Sequence, residues 1–109
     1  MSQTHKLLGR SMPAAVTPAT LYTAPASTTT IVYSIVVCNS NAAADTFRIF
    51  FVPSGGSLNV NNALYYDIPI PGNNSLTLNI GQDLMTGDFI RIYSTNGYLT
   101  FTASGLEIV

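Results

Sequence analysis

From Leu21 onward, apolar and polar positions follow the two-residue period of a strand, and no stretch carries the three-to-four-residue spacing of an amphipathic helix. β-Branched and aromatic residues dominate, and Pro, Gly and Asn interrupt them at regular intervals. The pattern predicts strands over Leu21–Thr23, Thr29–Cys38, Thr46–Val52, Ala63–Ile68, Ser75–Ile80, Phe89–Ser94 and Tyr98–Ile108, the last bending at Gly105. The first twenty residues contain Gly9, Pro13 and Pro18 among small polar residues and show little periodicity. They are expected to form an extended N-terminal arm lying on a neighbour, with the domain proper spanning 21–109.

The sharpest local signal is FIRIYSTNGYLTFTAS. Its Asn96-Gly97 pair favours a two-residue hairpin turn, because both central residues of that turn take positive φ. A hairpin there gathers Ile90, Ile92, Leu99 and Phe101 on a core face. It leaves Phe89, Arg91, Tyr93, Tyr98, Thr100 and Thr102 on the other, a mixed surface suited to a partner. PGNNS (71–75) and MTGD (85–88) mark two further turns. The run IVYSIVV is apolar at nearly every position, so both faces of that strand call for cover, one by an opposing sheet and one by a neighbouring chain. Stacking two sheets buries both apolar sets, which predicts an all-β, antiparallel β-sandwich of jelly-roll-like form, with a small closed barrel as the alternative.

Charge narrows the classes of function. Of 109 residues only 8% are charged while 47% are apolar, and the formal net charge is −1. Four basic residues fall short of the ~6–10 phosphate contacts of an electrostatic nucleic-acid binder. No apolar run reaches the ~18–20 residues of a membrane-spanning helix. In MSQTHKLLGR, Leu7 and Leu8 are followed at once by Gly9 and Arg10, which is not the apolar core of a signal peptide. Synthesis in a cytoplasm, with neither nucleic acid nor membrane as direct partner, is therefore expected. A chain of this length buries about 65% of its unfolded surface, so no disulfide or metal staple is called for.

Candidate chemistry is sparse. Cys38 is the only cysteine and His5 the only histidine, and His5 lies on the expected arm. A thiolate nucleophile or a Ser-His-Asp triad would have to recruit His5, so Cys38 is expected to be a small buried side chain closing its strand. Asp83 and Asp88 are the only carboxylates close in sequence, and Asp88 after Gly87 reads as a turn residue. Asp67 beside two tyrosines is at most a fragment of a calcium site. The Asn73-Asn74-Ser75 sequon is idle without secretion. No catalytic residue, cofactor or metal is assigned. Adjacent Tyr65 and Tyr66 must point to opposite faces of a regular strand, which leaves one of them free for contact with a protein or a sugar ring.

The blocks LYTAPASTTTIVYSIVVCN, FRIFFVPSGG, ALYYDIPIPGNNSLTLNIGQDLMTGDFIRIY and LTFTASGLEI together resemble small virion structural proteins of tailed bacteriophages. The likeness is to capsid cement or decoration proteins and short tail-associated β domains, and it covers about residues 21–108. It implies a non-enzymatic β-sandwich on the capsid exterior, binding the lattice of the major capsid protein and stabilising the head. The alternatives are a tail, neck or baseplate component, or a carbohydrate- or receptor-binding module of a fibre. The arm and the tyrosine-bearing face are expected to make the contacts, through Leu7, Leu8, Pro13, Tyr65, Phe89, Arg91, Tyr93 and Tyr98, with homo-oligomerisation.

Overall fold

The computed structural model describes residues 2–109. Eight strands follow in order: β1 (Gln3–Ser11), β2 (Ala19–Thr23), β3 (Thr29–Asn39), β4 (Asp45–Val52), β5 (Ala63–Ile70), β6 (Asn74–Leu84), β7 (Phe89–Ser94) and β8 (Leu99–Ile108), with one 3₁₀ turn at Val60–Asn62. They form two four-stranded sheets, β1-β8-β3-β6 (sheet A) and β2-β7-β4-β5 (sheet B). Every pairing is antiparallel, and β1 with β8, β2 with β7, β3 with β6 and β4 with β5 are all joined. The chain is thus one long hairpin with its tip at β4–β5, rolled so that β8 meets β3 and β7 meets β4. That is the jelly roll, and only at the tip do consecutive strands share a sheet.

Alternation turns one side of each sheet inward. Val32, Ile35 and Val37 of β3 and Leu99, Phe101 and Ala103 of β8 meet Phe47 and Ile49 of β4 and Ile90 and Ile92 of β7, all fully buried. The rings of Phe47 and Phe101 pack edge to face across the two sheets at 6.1 Å. Gly105 lies within a continuous β8, not at a bend, opposite the bulge of β3 at Tyr33. A Cβ there would collide with the Ile31 carbonyl, so glycine permits the close approach.

Three expectations are corrected. First, Asn96-Gly97 is not a hairpin: β7 and β8 lie in opposite sheets, and of this pair only Gly97 has positive φ (77°). The reason is Asp45, which is 2% exposed and gathers the corner. One carboxylate oxygen accepts from the Asn96 and Thr46 amides at 2.9 and 2.7 Å; the other accepts from the Ser94 hydroxyl and the Tyr98 amide at 2.7 and 3.2 Å. Ile90, Ile92, Leu99 and Phe101 are nevertheless buried, because a crossover turns them inward as a hairpin would.

Second, the first twenty residues are not wholly a free arm: Gln3–Ser11 form edge strand β1 on β8, and Ala19 already belongs to β2. β1 is held by its backbone ladder, an ion pair of Lys6 with Glu107 at 3.2 Å and the contact of Leu8 with the core. Third, β3 has one buried face; on the other, Tyr33 and Cys38 are exposed and Ile31 and Val36 half-buried. Cys38 is therefore not a buried side chain, because odd-even alternation after the Tyr33 bulge turns it outward beside the inward-facing Val37 and Asn39.

Candidate functional site

The groups with catalytic potential are dispersed. His5 is in register with Leu106, which is in register with Ile31, seven residues along β3 from Cys38. At a rise of about 3.3 Å per residue and about 4.8 Å between strands the two lie about 25 Å apart, too far for a thiolate-imidazole pair. The His5 ring instead packs against Tyr33, centroids 5.7 Å apart. Among the described residues no three His, Cys, Asp or Glu side chains converge on a metal-sized site. Most carboxylates hold structure. Asp88 accepts from the amides of Ser54 and Met85, both at 2.9 Å, tying two loops together as a turn residue does. Glu107 takes the Tyr22 hydroxyl at 2.5 Å, and that hydroxyl also meets Thr30 at 2.8 Å. Burial, then the bond to Glu107, pushes Tyr22 up to about 12, while the same bond holds Glu107 below the usual carboxylate value.

The outer face of sheet B is built differently. On β5, Tyr66 and Asp67 together oppose Arg48 of β4, because the ladder runs from Phe47↔Ile68 to Ile49↔Tyr65 and leaves two residues facing one. Asp67 takes the left-handed conformation (φ 53°) that such a bulge asks for and that aspartate tolerates. Both side chains then reach Arg48. Its Nε donates to Asp67 Oδ1 at 2.6 Å and its Nη2 to Oδ2 at 3.3 Å, a bidentate pair. Tyr66 and Tyr93 lie against its guanidinium, ring centroids 4.1 and 4.5 Å away. The hydrogen bond to Asp67, more than any other contact, raises the Arg48 pKa further. Below Tyr66 sits Phe50, edge to face at 6.3 Å and only 3% exposed although it points to this outer side. Arg48, Phe50, Leu58, Asn59, Val60 and Tyr66 line a shallow depression of about 160 Å³.

Arg91 of β7 is in register with Phe50, with Phe89 and Tyr93 on the same side of its own strand. Its Nε is buried and has no hydrogen-bond partner. An unmatched buried guanidinium nitrogen is a costly feature in an isolated chain.

Of the residues expected to make contacts, Phe89, Arg91 and Tyr93 do share this face, all half-buried. Alternation along one strand was enough to group them. The others do not join them. Tyr65 turns inward, its ring 6.3 Å from Phe47, and Tyr66 is the exposed member of the pair at 44%. Tyr98 belongs to the Asp45 corner and packs against the core. Leu7 is exposed on the far sheet, Leu8 packs against the core, and Pro13 is buried, so neither Leu8 nor Pro13 offers a free surface. Arg48 went unpredicted, because its place beside Tyr93 follows from the pairing of β4 with β7, and the bulge of β5 then brings Tyr66, the exposed member of the tyrosine pair, onto it. The adjacent Tyr-Asp on β5 was the one signal in the chain that pointed there.

No family model, curated protein or solved structure matches this chain.

Proposed function

We propose that this chain is a non-enzymatic structural subunit of a tailed-phage virion, a capsid cement protein that docks on the major-capsid lattice through the outer face of sheet B. The observation that carries the docking face is Arg91: its buried Nε lacks an acceptor, Phe89 and Tyr93 flank it on β7, and Tyr93 with Tyr66 stacks on Arg48 on the same face, giving the aromatic and guanidinium groups that anchor protein interfaces. The virion assignment is supported by the resemblance of residues 21–108 and by the jelly-roll strand order, an architecture used by viral capsid domains and also by lectins. With 8% charged residues, docking desolvates few ions. A contact of about 1,600 Å² repeated over a lattice then gains avidity without a strong single site.

Quantitative mass spectrometry of purified particles tests the assignment. Hundreds of copies per head are expected; a few copies that follow the tails identify a tail component, and absence from particles overturns the reading. Arg91→Met tests the docking face: the free domain keeps its stability or gains about 1 kcal/mol, since an unmatched donor is removed, while occupancy on particles falls. Glycan binding that disappears in Tyr66→Ala would instead identify a sugar-binding module.

A further inference from the structure

We propose that β1 is exchanged between copies of this chain, each copy completing sheet A of a neighbour with its own Gln3–Ser11. The inference does not rest on the virion reading. It starts from how weakly β1 belongs to its own domain. Residues 3–7 are all exposed, and within the strand only Leu8 packs against the core. What holds β1 is the ladder to β8, from Gln3↔Ile108 to Ser11↔Phe101, with Lys6 on Glu107, Arg10 on Thr102, the His5 ring on Tyr33 and the close approach of Gly9 to the Leu21 carbonyl. Those contacts are indifferent to which copy supplies the strand, so exchange reproduces every one of them between chains. Without β1, β8 would present an open row of amides and carbonyls, so the place must be filled.

The connection to β2 supplies the bias. Residues 12–18 cross from sheet A to sheet B, and within this short return Val16 is held at φ 57°. That conformation disfavours a β-branched residue strongly, since its Cβ crowds the backbone. Val16 is held there by its amide on the Ser94 carbonyl at 2.9 Å and by the turn that the Thr17 amide closes on Ala14. Pro13 and Pro18 stiffen the two ends. Opening the return lets Val16 extend. A short, strained hinge beside an exposed edge strand is the arrangement that favours swapping. Seven extended residues span about 25 Å, comparable with the 26 Å and 19 Å short dimensions of the domain, so a neighbouring β8 is within reach.

Lys6 is the only lysine in the chain, and its contact with Glu107 gives a native reporter. Equal amounts of unlabelled and ¹⁵N-labelled protein are co-refolded from urea, treated with a carbodiimide to join Lys6 to Glu107, and digested. With exchange, about half of the Lys6–Glu107 cross-linked peptides carry one label in each arm, and native mass spectrometry shows an oligomer. Cross-links confined to peptides of uniform label, or a mass that stays monomeric at all concentrations, overturn the proposal. Val16→Asn, which tolerates the left-handed conformation, should lower the mixed fraction several-fold at the same concentration; an unchanged fraction overturns the strained hinge as the source of the bias.

Discussion

Replacing Asp45 by alanine removes one buried carboxylate and strands four donors at the corner where the chain passes from β7 to β8. The Ser94 hydroxyl is fully buried, and its loss of an acceptor costs about 1–3 kcal/mol. The amides of Thr46, Asn96 and Tyr98 are nearer solvent, and each adds roughly 0.5–1 kcal/mol. The sum is about 2.5–6 kcal/mol, a large share of the ~5–15 kcal/mol that holds a domain of this kind together. At ~4–8 °C per kcal/mol it lowers Tm by about 10 °C or more. Asp45→Asn keeps one carbonyl oxygen for Thr46 and Asn96 but sets an NH₂ against the Tyr98 amide, so it should cost about half as much. Urea unfolding followed by circular dichroism measures both, with an unchanged slope expected because the surface exposed on unfolding is the same. If Asp45→Ala lies within about 0.5 kcal/mol of the parent, or Asp45→Asn is as costly as Asp45→Ala, the carboxylate does not hold the corner.

The remaining predictions concern other parts of the molecule. Tyr22→Phe removes the hydroxyl shared by Glu107 and Thr30 and costs about 1–3 kcal/mol in urea unfolding. Because the Tyr22 pKa is raised from 10.0 to about 12, its contribution is complete below pH 10 and is lost as pH rises through 12. The lowered pKa of Glu107 works in the opposite direction, contributing above its ordinary 4.5 and fading as pH falls through its folded value. Stability measured against pH should decline at both ends, and Tyr22→Phe should flatten the alkaline limb; a decline of the same depth in the variant would refute the assignment. Gly72→Ala drives a Cβ into the backbone of Ala42 and should cost about 2 kcal/mol or more, against about 1 kcal/mol for Gly55→Ala, which meets open space; equal Tm losses would contradict the packing. Cys38 should react fully with a maleimide in native buffer, and Cys38→Ser should leave stability within about 0.5 kcal/mol; protection that yields only to denaturant would place the thiol inside.

Alternation is a property of the strand itself, so it could be read residue by residue. Seven of the eight strands were legible in this way, and so was the inward set of Ile90, Ile92, Leu99 and Phe101. The strand that escaped, β1, has no such pattern: Lys6 reaches to Glu107, Leu8 sits at a break in register, and the ladder is made of backbone groups that any sequence possesses. The same indifference hid how the outer face of sheet B is assembled. Phe89, Arg91 and Tyr93 could be grouped from their spacing on β7, but Arg48 joins them only through the pairing of β4 with β7, and Tyr66 and Asp67 only through a bulge between β4 and β5.

Composition and periodicity by themselves therefore determined that this is a sparsely charged β-sandwich and that Ile90, Ile92, Leu99 and Phe101 face its interior. Tertiary structure alone decided which strands are neighbours, that Asn96-Gly97 leads across to the other sheet, that Tyr66 and not Tyr65 is exposed, and that Cys38 faces out. The physical reason is that burial is encoded by each side chain's own chemistry. Partnership between strands depends on backbone hydrogen bonds common to all of them, steered by a few long-range contacts such as the four that converge on Asp45.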